Sequence, residues 1–187
     1  RIAKELDPQR MVIDSDGLMM KNWLSGERDR PTLDYFAFQF DVFNLPQDLP
    51  GLYAFPAEPP KPVISHETGN FGTFPLLDQI ELFEHNIKPF WFISAREKVA
   101  ALGLLDEAPI WARNSQRLYY LCHKLNIEDI RKNPYLSGHH WWLFQDYWTG
   151  SNGIVESYFR PKEHIKPEEV RQFVNDALHG FLVDNGA

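Results

Sequence analysis

The sequence predicts an α/β fold built on a parallel sheet, either half of an eight-stranded (β/α) barrel or an open sheet. Three observations predict it. Short apolar runs recur at residues 11–15, 35–40, 62–65 and 138–144. Long stretches, not tight turns, separate them, as parallel pairing requires. Polar residues close three of the runs: Ser15-Asp16, His66-Glu67 and Gln145-Asp146. Polar groups at the C-terminal ends of strands mark the active-site face of such a barrel.

Taken in order, residues 1–6 read as the end of an amphipathic helix, stopped at Asp7-Pro8 because proline restricts the residue before it. Residues 11–15 form the first expected strand, and Asp14-Ser15-Asp16-Gly17 after it reads as a turn. Residues 35–40 are the second strand, and the proline-rich residues 44–60 are a loop. Residues 62–65 are the third strand. A long helical stretch over residues 76–132 follows, broken near Pro89, Gly103 and Pro109. Leu118, Leu121, Leu125 and Ile130 supply helical periodicity in its last part. The aromatic residues 138–144 are the fourth strand. Pro167, Glu168 and Glu169 open a final helix running to about His179, since proline and acids suit a first turn.

Composition narrows the function classes. Hydrophobic residues make up 43% of the 187 positions, which marks a globular chain. The net charge of −7 excludes the basic footprint that nucleic acid requires. No apolar run approaches the ~20 residues of a membrane-spanning helix. Cys122 stands alone, so no intramolecular disulfide is expected. The chain opens on Arg1 inside an apparent helix, so the polypeptide is expected to begin upstream, and the compartment stays open.

Chemistry concentrates at two strand ends. On the third strand, alternation puts Val63, Ser65 and Glu67 on one face and Ile64 and His66 on the other. A terminal Glu67 there would point into a barrel mouth, with Gly69 allowing a sharp exit; the same residue would serve equally as a salt-bridge partner. A zinc-protease motif fails because Asn70 stands where a second histidine is needed. On the fourth strand, Gly138-His139-His140-Trp141-Trp142 offers a stacking ring and hydroxyl partners for a sugar, or simply an aromatic core strand. The adjacent His139 and His140 face opposite ways and cannot share a metal ion, so no metal site is expected. Cys122 and His123, neighbours on a helix, do not face each other, and no Gly-x-Ser-x-Gly elbow or phosphate-binding glycine loop is present.

The four segments in this order resemble the catalytic domain of glycoside hydrolase family 2. The stretch Lys4 to Arg10 before a short apolar strand resembles the segment after that family's acid/base strand. Lys61-Pro62-Val63-Ile64-Ser65-His66-Glu67-Thr68-Gly69 is similar to its seventh barrel strand, and Gly138 to Asp146 to its eighth, with Trp141 matching the sugar-facing tryptophan. Trp142 stands where better-known members carry an acid, and Gln39 is the polar residue near the end of the sixth.

The resemblance implies the C-terminal half of the barrel, about strands 5 to 8, over residues 1–180, with 181–187 opening a β-sandwich domain or linker. It implies a retaining β-glycosidase with Glu67 as nucleophile, and with His66, Asn70, His140, Trp141 and Asp146 contacting a carbohydrate substrate. The acid/base, a glutamate after asparagine, would lie upstream, because no Asn-Glu pair precedes Glu67. The mechanism needs no cofactor. The remaining domains of the same polypeptide are the implied partners. Two open sheet edges would also invite self-association, making a homo-oligomer possible and the isolated segment a poor enzyme. The alternatives are a non-catalytic carbohydrate-binding relative and a structural domain of a larger assembly.

Overall fold

The computed structural model describes residues 2–13, 34–38, 61–84 and 87–175. Within them the chain divides into two compact units, Arg1–Asn70 with Asp129–Trp142, and Phe71–Glu128 with Leu143–Ala187. The turn expected at Asp14 to Gly17, the proline-rich loop, Gln39, and residues 176–187 with the expected sandwich start lie outside the described residues.

The first unit carries helix α1 (Ile2–Leu6) and a three-stranded sheet in the order β1 (Phe36–Phe38), β2 (Val63–Thr68), β3 (Gly138–Trp141). Both pairings are parallel, with Phe36 opposite Val63, and Ile64 opposite Gly138. Ser137 N–H donates to Val63 O at 2.7 Å and extends the ladder by one rung. β2 is the central strand, and Val63 and Ser65 are buried as an interior strand demands. Met11, Val12 and Ile13 form no strand; Val12 instead exchanges hydrogen bonds with Asp34, donating N–H to its carboxylate at 2.6 Å. Lys4 meets the same Asp34 oxygen at 2.6 Å, and this hydrogen-bonded cation holds the Asp34 carboxyl below its usual range.

The second unit is mostly helical. A 3₁₀ segment (Leu77–Leu82) leads to α2 (Phe90–Ala101), a 3₁₀ turn (Leu105–Glu107), α3 (Ala108–Lys132) and α4 (Pro167–Val174). The last turn of α3, from Asp129, belongs to the first unit. Gly103 at φ +70° ends α2: its N–H bonds Ala100 O at 2.9 Å and Leu104 N–H bonds Val99 O at 3.1 Å. Pro109 does not interrupt a helix but sits in the first turn of α3, where its missing N–H costs nothing. Pro167 plays the same part in α4.

The helix expected around Leu118, Leu121, Leu125 and Ile130 forms, but of these four only Ile130 is buried; the leucines are exposed, while Gln116, Tyr119, Tyr120, His123 and Asn126 are buried. Their ring contacts explain the choice. Tyr119 packs on His123 at 4.2 Å, Phe71 meets the same imidazole edge-on at 5.1 Å, and Tyr120 lies 5.9 Å from Phe173 of α4. Arg117 then forks both oxygens of Glu169, at 2.6 and 3.1 Å, and fastens α3 to α4.

At the centre of this unit Lys162 is 0% and Asp146 2% exposed at the side chain. Lys162 Nζ donates to Asp146 Oδ1 at 3.0 Å and to Thr73 Oγ1 at 3.1 Å, and lies 5.2 Å over the Tyr119 ring. Burial pushes the Lys162 ammonium pKa down and the Asp146 carboxyl up, against their mutual attraction. Such a pair tolerates loss of neither partner. Asp146→Asn is expected to cost about 3–5 kcal/mol in urea unfolding, because it strands a buried ammonium. A cost below about 1 kcal/mol would mean that the pair does not hold this unit.

Candidate functional site

The strand end expected to carry chemistry is irregular in a specific way. From Ser65 to Thr68 β2 advances three residues while its partner β3 advances two, from His139 to Trp141. One extra residue is therefore accommodated in β2, a bulge of the kind that re-aims side chains beside active sites. Glu67 carries the distortion at φ +47°, in the left-handed region, and Gly69 follows at φ +79°. The Thr68 hydroxyl ties the bulge internally, lying 2.8 Å from Ser65 Oγ and 3.1 Å from Ser65 O as donor. Beyond it Trp142 N–H donates to Thr68 O at 3.0 Å, so pairing resumes past the bulge.

The bulge breaks the simple alternation expected of β2. Ser65, His66 and Thr68 are all buried and Glu67 is half-buried. A left-handed backbone costs a residue with a Cβ about 1–2 kcal/mol. Among the described residues no hydrogen bond or ion pair engages the Glu67 carboxylate. The salt bridge to lysine or arginine that a purely structural role would supply is not made there.

Five of the six sequence-selected residues share one strand-end region of the first unit. His66 and Glu67 close β2 and Asn70 follows it, exposed; His140, exposed, and Trp141, half-buried, close the adjacent β3, with Trp141 opposite Thr68. His139, half-buried, has its imidazole pKa lowered first by burial and then by the charges of Arg131 and His140. Asp146 belongs to the second unit. Both of its oxygens accept from protein donors: Oδ1 from Lys162 and from Gly153 N–H at 2.7 Å, Oδ2 from Ser151 at 3.0 Å. A carboxylate so engaged differs from the open sugar contact expected of it. Gly153 is required for this cradle, since a Cβ there would stand 2.2 Å from Gln145 C.

A second concave feature escaped the sequence reading. A cleft of ≈ 350 Å³ in the second unit is lined by Arg113, Gln116, Glu156, Arg160, Glu163 and His164, among others. Burial raises the Glu156 carboxyl pKa, opposed by Arg160, whose Nε is 2.7 Å away. These residues come from α3 and from a hairpin 80 or so positions distant from Asp78, and no local motif announces the meeting. Among the described residues no group of acidic, histidine or cysteine side chains could hold a metal ion, and no helix is long and apolar enough to cross a membrane.

Two outcomes follow from this geometry. Glu67→Gly is expected to stabilise the protein, by up to about 1 kcal/mol in urea unfolding, since glycine accepts the left-handed backbone; Glu67→Val should destabilise it. A stabilising valine would overturn the strain assignment. His139 is expected to titrate below 6.5 in an NMR pH series. The fold holds it neutral, so its contribution to stability is complete above about pH 6.5 and is lost as pH falls towards the lower folded value. A midpoint above 6.5 would contradict the burial. No family model matches the sequence, and no curated protein matches it.

Proposed function

We propose that this chain is part of a retaining glycoside hydrolase acting on a β-glycoside, with Glu67 as nucleophile and β1 to β3 as strands of the C-terminal half of its (β/α) barrel. The observation that carries the reading is the left-handed, bulged backbone at Glu67, at the C-terminal end of the central strand of a parallel sheet. Strain of this kind concentrates where a side chain must be held for chemistry. Its support is the company of His66, Asn70, His140 and Trp141 at the same strand ends, which are hydroxyl partners and a stacking ring for a sugar.

In this reading the Glu67 carboxylate attacks the anomeric carbon as the bond to the leaving oxygen breaks. A second carboxyl about 5–5.5 Å away protonates that oxygen, and later deprotonates the water that frees the sugar. No Asn-Glu pair precedes Glu67, so the proposal assigns this second group to residues outside the sequence described. Asp146 holds the segment after β3 through Lys162.

In the polypeptide that supplies both carboxyls, Glu67→Gln is expected to lower kcat on aryl β-glycosides by about a thousandfold or more with the fold retained. A 2-deoxy-2-fluoro β-glycoside should leave one sugar covalently attached to the peptide containing Glu67, detected by mass spectrometry. Turnover near the parent level in the variant, or a label on another peptide, would sink the assignment.

A further inference from the structure

The hairpin that follows β3 displays an aromatic ring at the expense of its own backbone. Val155 and Pro161 pair antiparallel, Glu156 N–H donates to Arg160 O at 2.8 Å, and Phe159 N–H donates to Glu156 O at 2.9 Å. This is a three-residue loop whose last residue must be left-handed, a position that glycine ordinarily fills. Phe159 fills it at φ +61°. Burial does not repay the strain, because the side chain remains 62% exposed.

A second ring stands beside it. Phe144 is 66% exposed, with its ring centroid 6.2 Å from that of Phe159. The two are held by a common framework: Val155 N–H donates to Phe144 O at 3.0 Å, Asp146 N–H to Val155 O at 2.9 Å, and Gln145 Nε2 to Ser157 O at 3.2 Å. Neither backbone has freedom to withdraw its ring from solvent without breaking these bonds.

We infer that Phe144 and Phe159 form an accessory carbohydrate-binding platform, on which the apolar faces of neutral sugar rings stack. The ligand class rests on the glycosidase reading; the existence of a built platform rests on the hairpin alone. Area decides between a sugar and a protein partner. Two aromatic side chains about two-thirds exposed offer roughly 250 Å² together, against about 800 Å² per partner in a stable protein–protein interface. One or two pyranose faces fit that area, and a second copy of this chain does not.

The test is affinity electrophoresis of the chain in native gels cast with soluble galactomannan, xyloglucan or mixed-linkage β-glucan. The parent should be retarded by at least one of them. Phe159→Gly removes the ring while giving the left-handed position its preferred residue, so its unfolding midpoint should hold or rise. Phe159→Gly and Phe144→Ala should each weaken retardation by about three- to tenfold. Both phenylalanine variants are expected to keep the parent's turnover of aryl β-glycosides in the polypeptide that supplies both carboxyls, so that loss of the catalytic reading and loss of the platform are separately visible. No retardation of the parent in any of the three gels would overturn the proposal, as would equal retardation of the parent and both phenylalanine variants. So would a parent that sediments as a dimer and becomes monomeric in Phe159→Gly, since the rings would then serve self-association.

Discussion

The second unit is organised around one buried cation. Lys162 reaches Asp146, Thr73 and the ring of Tyr119, so a single ammonium joins the segment before the first 3₁₀ turn, the long helix and the two arms of the loop after β3. Removing two charges from water costs several kcal/mol, which only close geometry and additional donors offset. Ser151 and Gly153 N–H supply those donors to Asp146, and Thr73 meets Ser151 Oγ at 2.8 Å. The hairpin that carries Phe159, and the cleft around Glu156, inherit their positions from this network, because Lys162 lies directly beyond that hairpin.

The first unit rests on a different economy. Its sheet is small, and its distinctive feature is a backbone irregularity, not a network. The Ser65–Thr68 hydroxyl contact closes the bulge from within, so the distortion at Glu67 does not depend on a charged partner. Among the described residues the Glu67 carboxylate has no ion-pair partner.

Much of the secondary structure was legible in the sequence, because proline, glycine and short apolar runs act locally. Gly103 ends α2, Pro109 and Pro167 open α3 and α4, and the runs at 62–65 and 138–144 became β2 and β3. Five of the six chosen site residues lie at or just beyond strand ends for the same reason. What could not be read was set by contacts distant in sequence. The buried face of α3 follows His123 and Tyr119 instead of the leucines, because Phe71 and Lys162 meet those rings from elsewhere in the chain. The bond from Lys162, sixteen positions on, to Asp146 Oδ1 is announced by no local motif. The bulge is invisible too, since a run of six residues carries no mark of whether its neighbour advances by the same count.

That mismatch in count gives the Glu67 position a kind of protection that residue identity alone would not. β2 spends one residue more than β3 over the same length. Deleting His66 would allow a straight ladder to form with Thr68 still opposite Trp141, relieve the left-handed backbone, and leave Glu67 pointing to the face opposite Ser65 and Thr68. A point substitution at Glu67 changes one functional group, whereas a one-codon deletion would yield a smoother and less strained strand without the bulge. Where the bulge is kept, the segment is therefore expected to drift in composition but not in length.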